Sequence, residues 1–592
     1  MRALVHAPDH QCWYVYEHPE RTITADDTST IHGLLADIER ETRDNSRYAV
    51  IALRYEAAPA FDSHYLVNRP SSVFPLFYCA LYRERRRVSS IEEACMDPHG
   101  DCETSAFVPA IARDTYLGKI DRIKDRLASG DSYQVNYTFT LRARYRGNPF
   151  AWFCDRVKKK PGAYTAFLDC GEEQIASLSP ELFFSRSAVD AHTGVSSLLF
   201  KPMKGTAAVL PGMSGHEIDT CARELAADEK NRSENLMIVD MIRNDAGRIA
   251  VAGSVTVHEL FATEKYPTLI QMTSTVSALT KHGLADIFAA VFPCASITGA
   301  PKIRSMDIIA ELEDEARGMY TGAIGRLDPD GSALFNVAIR TAVFDTADRS
   351  VAYGCGSGIV WPSVADAEYD ECMTKTAVLQ NPAGFYVFDS LCARGGLCEL
   401  LDRHIERLRD SSCAFYFTAF PEEDIREALV RSARRYPSEV RKIRTRLYPD
   451  GHFDIDNEEP PALPTPYTID VTPAFLDADD VFVRHKTSVR SYLEEAKRQY
   501  RETGMSQPAD LIMVNTRGEL TETLRGNVVL ELDGTLVTPP LTSGALPGTM
   551  RAELLERGEL CERIVYPDDF RRASRVLMIN SVRGAIDCVK KG

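Results

Sequence analysis

The chain has 592 residues, too many for one ordinary hydrophobic core, and its 44% hydrophobic and 26% charged composition is that of a globular protein with at least two folding units. A formal net charge of −16 opposes a nonspecific nucleic-acid role, because phosphate backbones are bound through excess Lys and Arg, and it obliges any anionic substrate to find a local cationic site. No apolar run approaches the roughly 20 residues of a membrane-spanning helix, the opening MRALVHAPDHQC lacks the apolar core of a secretory signal, and 15 cysteines without CxxC pairs fit free thiols in a cytoplasmic protein.

In chain order, the basic stretch Arg83, Arg85, Arg86 and Arg87, interrupted by Glu84, reads as a solvated surface segment. From about residue 111, short β-rich runs at 134–141 and 334–344 alternate with amphipathic helical stretches such as 221–242. A further helical stretch at 365–379 runs into Gln-Asn-Pro-Ala-Gly at 380–384, which combines a helix stop with turn residues. That marks a domain boundary and predicts domains 1–379 and 384–592. Beyond it, a strand at 385–391 and a helix at 403–413 open a new pattern, and the proline-rich loop 457–466 suggests a hinge between two lobes. The fold class predicted is α+β.

Six strings stand out in the first domain: GDSYQVNYT from Gly130, SPELFF from Ser179, KPMKGT from Lys201, SENLMIVDMIRND from Ser233, SITGAPKIRSM from Ser296 and GCGSGIVW from Gly354. Together, over residues 110–378, they resemble the chorismate-utilising enzymes, with YEAAPAFD from Tyr55 as a weaker match nearer the start. The resemblance implies large antiparallel sheets with the site between them, chorismate as substrate, and Mg2+ as cofactor.

Helical spacing puts Glu368 and Glu371 on one face, so two carboxylates can converge on a hard cation; without the resemblance they would read as exposed helix carboxylates. The resemblance implies Glu234 and Glu371 as magnesium ligands and Glu368 as a nearby or water-mediated one. Glu181 matches the general acid for departure of the ring hydroxyl, a role that needs a raised pKa of the kind that burial beside Leu182 and Phe183 supplies. Lys204 resembles the aminodeoxychorismate synthase branch, where anthranilate synthases usually carry alanine. As a nucleophile it must first be neutral, which from a reference pKa of about 10.4 costs about 4.6 kcal/mol at pH 7. The alternative role is neutralisation of a substrate carboxylate. Gln271, where anthranilate synthases have histidine, favours the lysine branch, and Cys294-Ala295 replaces a pair of positions where glycines are common. Thr298, Gly299, Tyr320, Arg340, Gly356 and Gly358 match substrate-carboxylate contacts; arginine suits this by its two-pronged donors, and glycine by close backbone approach.

The second domain carries RHIERL from Arg403, RHKTSVRSY from Arg484, DLIMVNTRGELTETLRGNVV from Asp510 and TPPLTSGALPGTMR from Thr538. These resemble the fold-type-IV pyridoxal-phosphate enzymes, the class of aminodeoxychorismate lyase and branched-chain aminotransferases. The resemblance implies Lys486 as the lysine joined to the cofactor and as proton-transfer base, and Glu522 as the carboxylate facing the pyridine nitrogen. It also makes Arg407, Asn527, Gly548 and Thr549 contacts around the phosphate. Asp389-Ser390 stands where many relatives have Glu-Thr.

The order of the domains implies chorismate amination followed by release of 4-aminobenzoate. No glutaminase signature is present, so the resemblance implies a separate glutamine amidotransferase subunit as ammonia source. No nucleic acid or membrane partner is expected, and dimerisation through the second domain is. The alternatives are an anthranilate synthase component fused to an aminotransferase, an aminodeoxyisochorismate synthase, and a synthase whose C-terminal domain is a noncatalytic scaffold.

Overall fold

The computed structural model describes residues 1–69, 74–94, 100–159, 162–209, 213–266, 269–379 and 384–591. The boundary expected at 380–384 lies, but for Gly384, outside the described residues. The described chain divides into two compact units, one of 1–102, 109–142 and 147–379, the other of 103–108, 143–146 and the described part of 380–592. Two short segments of sequence expected in the first domain therefore group with the second unit.

Alternation of side chains across pleated strands builds the first unit in layers. In the strand Tyr48–Leu53, Val50 and Ala52 face one core and Ile51 and Leu53 another; in Phe77–Tyr82, Tyr78, Ala80 and Tyr82 oppose Phe77, Cys79 and Leu81. The first core lies between a ten-stranded sheet, to which both strands belong, and an eleven-stranded sheet that contains Arg2–Ala7 and Cys12–Tyr16. The second core packs the other face of the ten-stranded sheet against the helices Thr28–Asp44, Glu229–Gly247 and Leu284–Val291. Phe184, Phe288 and Phe335 meet there, with the Phe288 and Phe335 rings edge to face at 5.0 Å.

Three expectations from sequence change in the structure. The run 334–344 is two strands, Ala333–Val337 in the ten-stranded sheet and Thr341–Asp345 in the eleven-stranded one; the chain crosses between sheets through Arg340, which takes a left-handed conformation at φ +50°. The helix expected at 221–242 is likewise two, Gly215–Ala227 and Glu229–Gly247, because Asp228 adopts an extended conformation and accepts the Asn231 N–H as an N-cap. In the basic run, Arg83 is exposed, but Arg85 is largely buried. It pairs with Asp328 at 2.5 Å and lies over the Tyr14 and Tyr48 rings at 3.7 and 4.4 Å. Asp328 is shared with Arg326, which also reaches Asp9.

The second unit holds a four-stranded antiparallel sheet, with Val387–Arg394 between Leu397–Cys398 and Arg441–Leu447, and an eight-stranded mixed sheet that starts with Thr468–Leu476. The proline-rich segment connects them. Among the described residues, no helix is long and apolar enough to cross a membrane.

Removing Arg85 strands part of the Asp328 charge in a dry site, so Arg85→Met should cost about 2 to 4 kcal/mol in urea unfolding, whereas Arg83→Met should change stability by less than about 0.5 kcal/mol. Equal effects of the two would show that the buried pair does not hold the fold.

Candidate active sites

In the first unit, the strand Met203–Ala208 pairs with Leu269–Thr280 through a one-residue bulge, because Met203 faces Thr273 and Thr206 faces Gln271. Lys204 and Gly205 fall in the bulge. Gly205 has φ +85°, and a Cβ on it would come 2.8 Å from the Asn231 side chain. The Gln271 amide donates to the Gly205 carbonyl at 2.7 Å and fixes this turn of backbone. The Lys204 amine then reaches the strand Ser350–Ile359: a Cβ on Gly358 would sit 3.3 Å from Nζ and 2.8 Å from Nε2 of Gln134.

Glu181 is buried within the electrostatic reach of this amine. The Ser296 hydroxyl donates to its Oε1 at 2.7 Å, and burial pushes the carboxyl up to about 7, against the pull of Ser296, Lys204 and Arg340. Arg340 has no carboxylate within ion-pair distance among the described residues, so its charge is free for an anion. A Cβ on Gly299 would lie 2.1 Å from the Gln134 carbonyl, one on Gly356 2.5 Å from the Tyr137 carbonyl, and one on Gly354 2.1 Å from the Tyr320 ring. Each glycine thus permits a close approach that a side chain would block. Thr298 differs from expectation: its hydroxyl donates to the Cys294 and Ala295 carbonyls at 3.2 and 3.3 Å, which turns it toward its own loop.

The three expected magnesium carboxylates lie within one another's field without closing on a point. Burial raises the Glu234 carboxyl, Lys204 and Lys230 oppose that rise, and Glu368 and Glu371 add to it. Lys230 lies 4.0 Å from Glu234 and 3.9 Å from Glu368, while Lys375 draws Glu371 to itself at 2.9 Å. Among the described residues, no three His, Cys, Asp or Glu side chains come close enough to hold a metal ion. The donor set nonetheless suits a hard dication, since three carboxylates share one region and two lysines supply the positive charge that the dication would bring.

In the second unit a cavity of about 520 Å³ brings together Lys486, Glu522, Arg407, Asn527, Gly548 and Thr549. Lys486 is fixed by its backbone, whose carbonyl accepts the Phe388 N–H at 2.8 Å. Burial lowers its amine to about 8, with Arg407 and Arg490 adding to the shift and Asp389 and Glu522 opposing it. Burial raises Glu522 to about 8, against an N–H from Leu546 at 3.2 Å and the charge of Lys486. The side chains of Arg407 and Asn527 brace the turn at 546–549. Arg407 grips both oxygens of Asp389 at 2.8 and 2.9 Å and donates to the Pro547 carbonyl, and Asn527 donates to that of Leu546. A Cβ on Gly548 would fall 1.9 Å from Asn527 Oδ1. The turn ends on the helix Thr549–Glu556, whose first N–H groups have no partner within the helix and favour an anion. An unpaired lysine, an acid beyond it and a helix start fit pyridoxal phosphate.

Several site groups were not singled out from sequence. Gln134 has both amide atoms buried without a hydrogen-bond partner among the described residues. Ser296 holds Glu181. His404 bridges Asp389 at 2.7 Å and the Thr549 hydroxyl at 3.2 Å. All lie inside or beside the quoted strings, so the strings located them without assigning them.

Residues 1–381 match the profile of the chorismate binding enzymes, and residues 386–590 that of the class IV amino-transferases. Aminodeoxychorismate synthase component 1 of Klebsiella aerogenes is 40% identical over 276 residues, which covers 46% of this chain and 58% of that protein. The protein of the same name from Escherichia coli (strain K12) is 38% identical over 274 residues, with the same two coverages of 46% and 58%. The chain thus spans about 58% of the length of these curated relatives. Anthranilate synthase component I from Streptococcus pneumoniae TIGR4 shares the fold over 62% of this chain and 92% of that one, with a TM-score of 0.54 at 24% identity. The chain therefore belongs to the chorismate binding enzymes, and carries a class IV aminotransferase domain in the same polypeptide.

Proposed function

We propose that the first unit aminates chorismate at C4 and that the second releases 4-aminobenzoate and pyruvate from the product. The observation that carries this reading is that Lys204 and Arg340 both act on the buried Glu181 carboxyl, with the Lys204 amine held close to Gly358. Arg340 holds a substrate carboxylate. The Lys204 amine attacks C2 while the C4 hydroxyl takes a proton from Glu181 and leaves as water. Ammonia then attacks C4, the C2–N bond to lysine breaks, and the amine is restored. The net change is chorismate plus ammonia to aminodeoxychorismate plus water. Glu234, Glu368 and Glu371 would hold Mg2+, which supplies charge to anchor an anionic substrate. Ammonia comes from a separate glutamine amidotransferase, and the protein works in the cytoplasm.

In the second unit Lys486, Glu522 and the 548–549 helix start would hold pyridoxal phosphate. When bound, it supplies an electron sink that acidifies the C–H at the amine-bearing carbon. Lys486, whose amine burial lowers to about 8, takes the C4 proton. The enolpyruvyl C–O bond breaks, the leaving group gains a proton as pyruvate, and the ring becomes aromatic.

Product analysis of the purified chain with chorismate, Mg2+, ammonium and pyridoxal phosphate should give 4-aminobenzoate and pyruvate. Lys486→Ala should accumulate aminodeoxychorismate, and Lys204→Ala should lose C4 amination by at least a hundredfold. Anthranilate as main product, or undiminished 4-aminobenzoate from Lys486→Ala, would overturn the first or the second assignment.

A Glu181 held near 7, above its ordinary 4.5, contributes stability that is intact below about pH 4.5 and lost as pH rises through 7. Relative to wild type, Glu181→Gln should therefore gain on the order of 2 to 3 kcal/mol between pH 5 and pH 8 in urea unfolding, alongside its loss of amination. A difference that does not change with pH would mean that the carboxyl is not held protonated.

A further inference from the structure

The cavity in the second unit is lined by seven Arg and Lys side chains and one carboxyl, Glu522, in a chain whose net charge is −16. Two of the cations are neutralised locally, Arg407 by Asp389 and Lys442 by Glu458. Arg444, Arg490, Arg525 and Arg583 have no carboxylate within ion-pair distance among the described residues; Arg583 donates to the Pro461 carbonyl, and the Arg444 Nε lies 3.5 Å from the Ser390 hydroxyl. Arg444 and Arg490 also lie over one ring, that of Phe388, at 5.4 and 5.5 Å. Two guanidinium groups held against one ring present two-pronged donors from a shared support, an arrangement for an anion with two carboxylates. Arg490 follows Lys486 by four residues, and its charge reaches both the Lys486 amine and the Glu522 carboxyl.

We propose that Arg444 and Arg490, set around Phe388, are specificity-determining residues that bind the carboxylates of a cyclic dicarboxylate and so make this cavity selective for diacids over monoacids. The proposal rests on the lyase reading only for the identity of the natural diacid.

The test uses the pyridoxal-phosphate-loaded full chain, with benzene-1,3-dicarboxylate and benzoate as probes and the bound cofactor's absorption band as readout. Wild type should bind the diacid at least tenfold more tightly than benzoate. Arg490→Met, at an exposed position, and Arg444→Met should each weaken the diacid about tenfold, leave benzoate within twofold, and keep cofactor affinity unchanged; Arg490→Lys should recover part of the loss. A wild type without diacid preference would overturn the proposal, as would variants that lose both probes equally. Pyruvate release from aminodeoxychorismate by wild type is measured separately. Its absence together with an arginine-dependent diacid preference would refute the lyase reading and leave the diacid site standing, whereas its presence with unchanged preference in the variants would do the reverse.

Discussion

Loss of water around ionisable side chains is the constraint on which both sites depend. The Glu181 carboxyl is pushed up to about 7 because the fold has replaced its solvent, and among the described residues only the Ser296 hydroxyl donates to it. Such a pocket cannot be made on a single sheet with a wet face. The first unit makes it by stacking two large sheets and a helical layer around two separate cores, so that residues near the crossing between sheets are buried from both sides. In the second unit the same cost moves two groups in opposite directions, Lys486 down and Glu522 up, until both sit near 8.

Departures from regular backbone occur where chemistry is concentrated. Arg340 takes a left-handed conformation at the change of sheet, Gly205 does so at a bulge, and Asp228 breaks a helix just ahead of the turn that carries Glu234. Each converts an uninterrupted element into one that aims a side chain inward. The surrounding hydrogen bonds hold these departures in place: Gln271 on the Gly205 carbonyl, and Arg407 and Asn527 on the carbonyls ahead of Gly548.

Local pattern in the sequence carried far more of this than long-range pairing did. Lys204, Glu181, Lys486 and Glu522 were singled out through the family resemblance of the strings that hold them, and three of them, Glu181, Lys486 and Glu522, are deeply buried in the fold. The mixture of strands and helices was legible from β-rich runs alternating with amphipathic stretches, and the layered sheets from the family resemblance. Arg85 was not, because its meaning comes from Asp328, 243 residues away, and nothing in a run of arginines shows which one is taken into the core. The break at Arg340 was hidden for the same reason, since two strands of different sheets read as one apolar run. Arg407 and Asn527, expected around a phosphate, line the cavity; Arg407 holds the Asp389 carboxylate and the Pro547 carbonyl, and Asn527 the Leu546 carbonyl. The carboxylates of Glu234, Glu368 and Glu371 were brought near one another, but the lysines that separate them come from positions that no motif marks.

The bulge at Gly205 has one further consequence. It is the extra backbone residue, with the Gln271 hydrogen bond beneath it, that determines where position 204 points. The identity of the side chain there contributes nothing to the register of the strand. The residue at 204 can therefore be exchanged while the sheet stays in place, so a scaffold of this kind can change its chemistry at that point without first passing through a misfolded ancestor.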